Sequence, residues 1–124
     1  MDSRSPDSAP RFTHERLDAY RVAREALAQG EAIARDLPRG YATLADQLRR
    51  SLLSAFLGVA EAASRSGADR LSRFRCARGE ASEAAAALDA VEMLGLAPAA
   101  RVQPVVALLA RLYAMLTKLA KAGQ

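Results

Sequence analysis

Between Gln47 and Arg65 the chain reads QLRRSLLSAFLGVAEAASR, a run without proline and with Val59 as its lone β-branched residue. That composition favours a helix. At about 100° per residue, Gln47, Ser51, Ser54, Gly58, Glu61 and Arg65 fall on one narrow stripe. Leu48, Leu52, Ala55, Phe56 and Val59 lie on one side of it, and Leu53, Leu57 and Ala60 on the other. A helix that only covers the core of a monomer shows one apolar face. This helix shows two, divided by a seam of small and polar side chains. The second face needs a second partner, and in a soluble protein another subunit is the simplest one.

Composition points the same way. A chain of 124 residues suits one domain. It is 51% hydrophobic but only 5% aromatic, with no tryptophan, because alanine supplies much of the apolar count. Alanine buries little area at about 25 cal/mol per Å², so the core is thin. Close helix approach or oligomerisation has to make up the difference. The formal charge is +4, from 18 Lys+Arg against 14 Asp+Glu. Lys118 and Lys121 are the only lysines. Arginine suits bidentate pairing with phosphate or carboxylate, although a GC-rich genome produces the same bias. Cys76 stands alone, which excludes an intrachain disulfide and a multi-cysteine metal site and fits a reducing compartment. The first residues lack the apolar centre of a secretory signal. No run approaches the ~18 apolar residues of a membrane span. The expectation is a soluble, cytoplasmic protein without a membrane partner.

Residues 1–11 are polar and carry Pro6 and Pro10, which predicts a disordered tail ahead of a single domain over residues 12–124. Helical periodicity predicts a helix over 13–37, with Thr13 as N-cap and a face of Tyr20, Ala23, Leu27, Gly30, Ala34 and Leu37. A second runs over 42–65. A third runs over 68–94, with a core line of Phe74, Ala77, Ala81, Ala84, Leu88 and Val91, and Ser66 with Asp69 resembles a capping box before it. The last starts between Pro98 and Pro104, carries Val105, Leu108, Leu109, Leu112, Met115, Leu116 and Leu119 over nearly half the wheel, and Gly123 closes the chain. Period-2 alternation is absent. Long helices joined by short loops fold most simply as an all-α, antiparallel up-down-up-down four-helix bundle.

A family resemblance rests on the order of particular residues. Phe12, Leu17 and Tyr20 open it, followed by Leu37-Pro38, Tyr41 and Leu44. Then come Gln47-Leu48-Arg49-Arg50, Ser54, Ala60-Glu61, Arg65, Phe74, Ala77-Arg78-Gly79, Glu83 and Leu94-Gly95-Leu96. This order resembles the four-helix-bundle family encoded in ribosomal-RNA intervening sequences, and the likeness spans nearly everything from Phe12 onward. The resemblance implies a bundle that assembles into a ring, a homopentamer, in small bacterial proteins with no established enzymatic role. A related branch is an accessory to the reverse transcriptase of diversity-generating retroelements and looks like a nucleic-acid-binding pentameric barrel. The partners so implied are further copies of the chain, RNA or DNA, and a reverse transcriptase. The chain departs from the family at Gly58, where Asn is usual, at Ala62, where Gly is usual, and at Glu80, where Ser is usual. A seam that binds something loses part of its chemistry by these changes; a structural seam tolerates them.

Candidate chemistry centres on Arg49, Arg50, Arg65, Arg70, Arg73, Arg75 and Arg78. Arg75 and Arg78 share a helix face with Leu71 and Ser82. Repeated around a ring, these guanidiniums would raise the local potential and contact phosphates without reading sequence. The competing reading is a solvated face plus intersubunit pairs with Glu61, Glu80 and Glu83. Glu61 and Arg65, at i and i+4 on the seam, suggest a partly buried pair that fixes register. Leu53, Leu57 and Ala60 are the expected subunit contact. His14 has no companion at metal-ligand spacing, Cys76 has no identifiable base, and no Glu-x-x-His or phosphate-binding glycine loop occurs. The expectation is a non-enzymatic protein with no cofactor or metal. It acts as a ring-forming scaffold or interaction protein, with a nucleic-acid-binding accessory as the alternative.

Overall fold

The computed structural model describes residues 17–121. The tail expected over 1–11, the Thr13 cap, His14 and Gly123 lie outside them. The described residues form four helices and no strand: α1 (Asp18–Arg35), α2 (Ala42–Ala63), α3 (Gly67–Met93) and α4 (Ala99–Leu119). Each helix packs against two others in the cyclic order α1, α2, α3, α4, and the diagonal pairs make no close backbone approach. This is a four-helix bundle. Tyr20 early in α1 meets Phe56 late in α2, and Arg49 early in α2 meets Glu31 late in α1. Arg73 early in α3 meets Glu61 late in α2. Gln103 early in α4 meets Glu92 late in α3, and Arg101 early in α4 meets Asp36 just past α1.

Local chemistry sets most of the helix ends. At the end of α3, Gly95 takes a left-handed φ of 71°. Its N–H donates to Glu92 O and the N–H of Leu96 to Val91 O. This 5→2 and 6→1 pair closes the helix, and glycine adopts that φ without a Cβ penalty. The start of α3 differs from expectation. Ser66 is extended there, with φ −138° and ψ 164°, but its side chain makes no cap hydrogen bond. Asp69 turns instead to two guanidiniums, lying 3.7 Å from Arg65 and 3.5 Å from Arg73. A capping box needs the longer Glu or Gln to reach back, and here the charge-assisted partners win.

The start of α4 is settled at Ala99, with Pro98 one residue ahead of it and Pro104 inside the helix. Proline at that depth removes the N–H that would reach Ala100 O and crowds that carbonyl, a cost of about 3 kcal/mol relative to alanine. Pro104 is exposed, so its ring packs little. We expect Pro104→Ala to raise the unfolding free energy by about 1–3 kcal/mol, part of the gain being offset by a freer unfolded chain. Urea denaturation of the two proteins checks it; an unchanged or lowered midpoint would contradict it.

The core is thin and closely packed. Phe74, Ala77, Ala81, Ala84, Leu88 and Val91 of α3 are all buried, as their spacing predicts. They meet Leu48, Leu52, Ala55 and Val59 of α2, and Val102, Val105, Leu109, Leu112 and Leu116 of α4. On α1 the buried line is Ala19, Val22, Ala23, Ala26, Gly30, Ile33 and Ala34. Tyr20, Leu27 and Leu37, expected on that line, are only half-buried at its edge. Two glycines let helices close up: a Cβ on Gly30 would overlap Leu52 Cδ1, and one on Gly58 would lie 3.2 Å from the Ala77 Cβ. By length and overall hydropathy α4 is the one described helix able to cross a membrane. Its core residues are buried inside the bundle, however, and Arg101, Arg111 and Lys118 interrupt the apolar run.

Candidate interaction surfaces

The divided helix is α2, and its flanks have separate fates. Leu48, Leu52, Ala55 and Val59 are in the core, while Phe56 is half-buried with its ring 4.9 Å from Tyr20. The seam faces α3. Ser51 is fully buried, its hydroxyl donating to Gln47 O at 2.9 Å and Leu48 O at 3.2 Å. Ser54 and Gly58 are half-buried, and Gly58 admits Ala77. The small and polar seam residues are thus a close-approach track for α3. The remaining flank has no partner among the described residues: Leu53 is 47% exposed and Leu57 51% exposed, with half-buried Ala60 beside them.

At both ends the seam emerges into solvent. Gln47, Glu61 and Arg65 are exposed, and the Glu61–Arg65 contact is long, 3.8 Å. The expected partly buried register pair is therefore a surface pair, because α2 ends at Ala63 and leaves Arg65 beyond the helix. The firmer partner of Glu61 is Arg73 of α3, whose Nη1 donates to it at 2.6 Å.

The arginines do not form one patch. Arg49 donates from Nε to both oxygens of Glu31 at 3.0 and 2.9 Å, tying α2 to α1 on the side of the bundle away from α3. Arg65 and Arg73 share Glu61 and Asp69. Arg70 lies 5.1 Å from the Phe74 ring and reaches Ala63 O. Arg78 stands 5.6 Å from the Tyr113 ring of α4 and donates to Thr117 Oγ1. Only Arg50 and Arg75 have neither an ion pair nor a ring contact among the described residues. Closeness in sequence put these side chains together; the helix faces send them to three different neighbours.

Two features escape a reading of single helices. Glu80 and Glu83 are neighbouring carboxyls on α3, and burial, then Glu83, push the Glu80 pKa up, while Arg50 opposes them. Between α3 and α4 lies an open apolar groove of about 260 Å³, with Ala81 and Leu109 as floor and Ser82, Ala85, Val106, Ala110 and Tyr113 as walls. Val106, Ala110 and Tyr113 repeat at helical spacing, which is the one sequence signal for that wall. Among the described residues no cluster of histidine, cysteine or carboxylate could hold a metal ion. Neither the models of known protein families nor the curated proteins contain a match to this chain.

Proposed function

We propose that the chain is an antiparallel up-down-up-down bundle that self-associates through the Leu53, Leu57 and Ala60 flank of α2 and works as a non-enzymatic scaffold or interaction protein. The observation that carries this is the pair of leucines, about half exposed on one stripe of a helix whose other faces are already occupied. The alternating end-to-start contacts support the up-down order of the helices. Charged groups around the stripe give it the apolar centre and polar rim of an association surface: the Arg49–Glu31 ion pair lies toward α1, and Arg50 and Glu80 lie toward α3. The resemblance to the intervening-sequence family motivates a ring, and five as its copy number, in a bacterial cytoplasm. Light scattering of the purified protein at micromolar concentration tests the reading. A mass that is a multiple of 13.2 kDa supports it; a monomeric mass overturns it.

A second reading, nucleic-acid binding, draws on exposed Arg50 and Arg75, neither of which makes an ion pair among the described residues. Three of the seven arginines, Arg49, Arg65 and Arg73, are already paired, which weakens it. Titration with RNA and duplex DNA at two salt concentrations separates the readings. Phosphate contact gives affinity that falls steeply with salt, and absence of binding removes this reading and, with it, a reverse transcriptase as a nucleic-acid-linked partner.

A further inference from the structure

We propose that the Leu53–Leu57 ridge of α2 seats in the α3–α4 groove of a second copy, a head-to-tail contact between two different faces of the chain. The inference rests on the self-association reading above and names what covers the leucines.

Height is the first argument. Gly58 sits against Ala77, and Glu61 reaches Arg73. A step toward the start of α2 is therefore a step toward the end of α3. Leu57 stands level with Arg78, and Leu53 level with Ser82. On α4, the Arg78–Tyr113 and Glu92–Gln103 contacts place Val106 and Ala110 at the level of Ser82 and Ala85. Copies related by rotation about an axis along the bundle are not displaced along it, as closure of a ring requires. Ridge and groove must then lie at one height, and they do.

Charge is the second. Arg50 follows the ridge one turn toward the start of α2, at the level of Ala85, and Glu61 follows it one turn the other way, at the level of Phe74. The groove carries Asp89 one turn beyond Ala85, and Arg78 and Arg75 about one and two turns before Ser82. Docking sets Arg50 against the acidic end, between Asp89 and its own neighbour Asp46, and Glu61 against the basic end. Opposite signs facing each other fix register. Arg50 has no ion pair of its own within the described chain. The groove is also below the ~300–1,000 Å³ of ordinary small-molecule sites and its walls are nearly all apolar, which suits leucine side chains.

Two blocked variants test it. Leu57→Arg blocks the ridge, and Ala110→Arg, at an exposed alanine, blocks the groove; circular dichroism checks that both fold. Each alone is expected to be monomeric in sedimentation. Mixed in equal amounts, they are expected to form a dimer, because one intact groove meets one intact ridge. An Ala110→Arg protein that assembles like the parent would overturn the groove assignment and leave self-association standing. Ser82→Arg on the opposite wall repeats that arm independently. A mixture that stays monomeric would overturn the head-to-tail arrangement in favour of ridge on ridge. Assembly of Leu57→Arg would overturn the α2 flank as the interface, and a monomeric parent would overturn self-association itself.

Discussion

Leu57→Arg is expected to dissociate the protein to a 13.2 kDa monomer while the bundle stays folded. Within one copy Leu57 is about half exposed, so the new guanidinium reaches water from the same backbone position. Surface changes of that kind usually alter folding by no more than about 0.5 kcal/mol. In a docked interface the same guanidinium has no room and no partner. An unpaired charge held there costs about 3–5 kcal/mol, and every 1.4 kcal/mol is about tenfold in affinity. Micromolar assembly would therefore weaken by about two to three and a half decades, to roughly 0.1–4 mM. The thermal midpoint of the parent should rise with concentration, because association stabilises the folded state by mass action. That of the variant should not. Equal masses for variant and parent would contradict the expectation.

Phe74→Ala is expected to cost about 3–5 kcal/mol, the largest effect of a single truncation in this core. Phe74 is fully buried and heads the size order of the fully buried side chains. Its surroundings are largely alanine and leucine on helices already in close approach, so little can move in to fill the space. The ring also faces the Arg70 guanidinium, and that contact goes with it. Small domains are stable by only about 5–15 kcal/mol, so the variant should unfold at a much lower urea concentration. A loss below about 1 kcal/mol would show that the alanine-rich core collapses around the gap.

The helices were legible in the sequence because their core lines repeat at helical spacing. Every residue on the α3 line from Phe74 to Val91 is buried, and Gly95 ends α3 where a left-handed residue is required. The stripe on α2 was legible too, but its meaning was half hidden. Periodicity gives an angle around a helix and not the identity of the neighbour there. Ser51 and Gly58 therefore looked like a divider between two partners, when they are the track along which α3 closes on α2. The arginines were misleading for a related reason. Arg49 pairs across 18 positions with Glu31, and Arg73 across 12 with Glu61. Those separations are invisible until the helices are placed. The α3–α4 groove belongs to two helices at once, so neither helix alone announces it.

The proposed assembly requires a second copy to cover Leu53 and Leu57. Methyl NMR with a soluble paramagnetic agent reads this directly in the unmodified protein. At assembling concentrations the Leu53 and Leu57 methyls should be as protected as those of buried Leu48 and Leu112, while the Met93 methyl, 74% exposed, relaxes fast. Leu53 and Leu57 relaxing as fast as Met93 would contradict the claim.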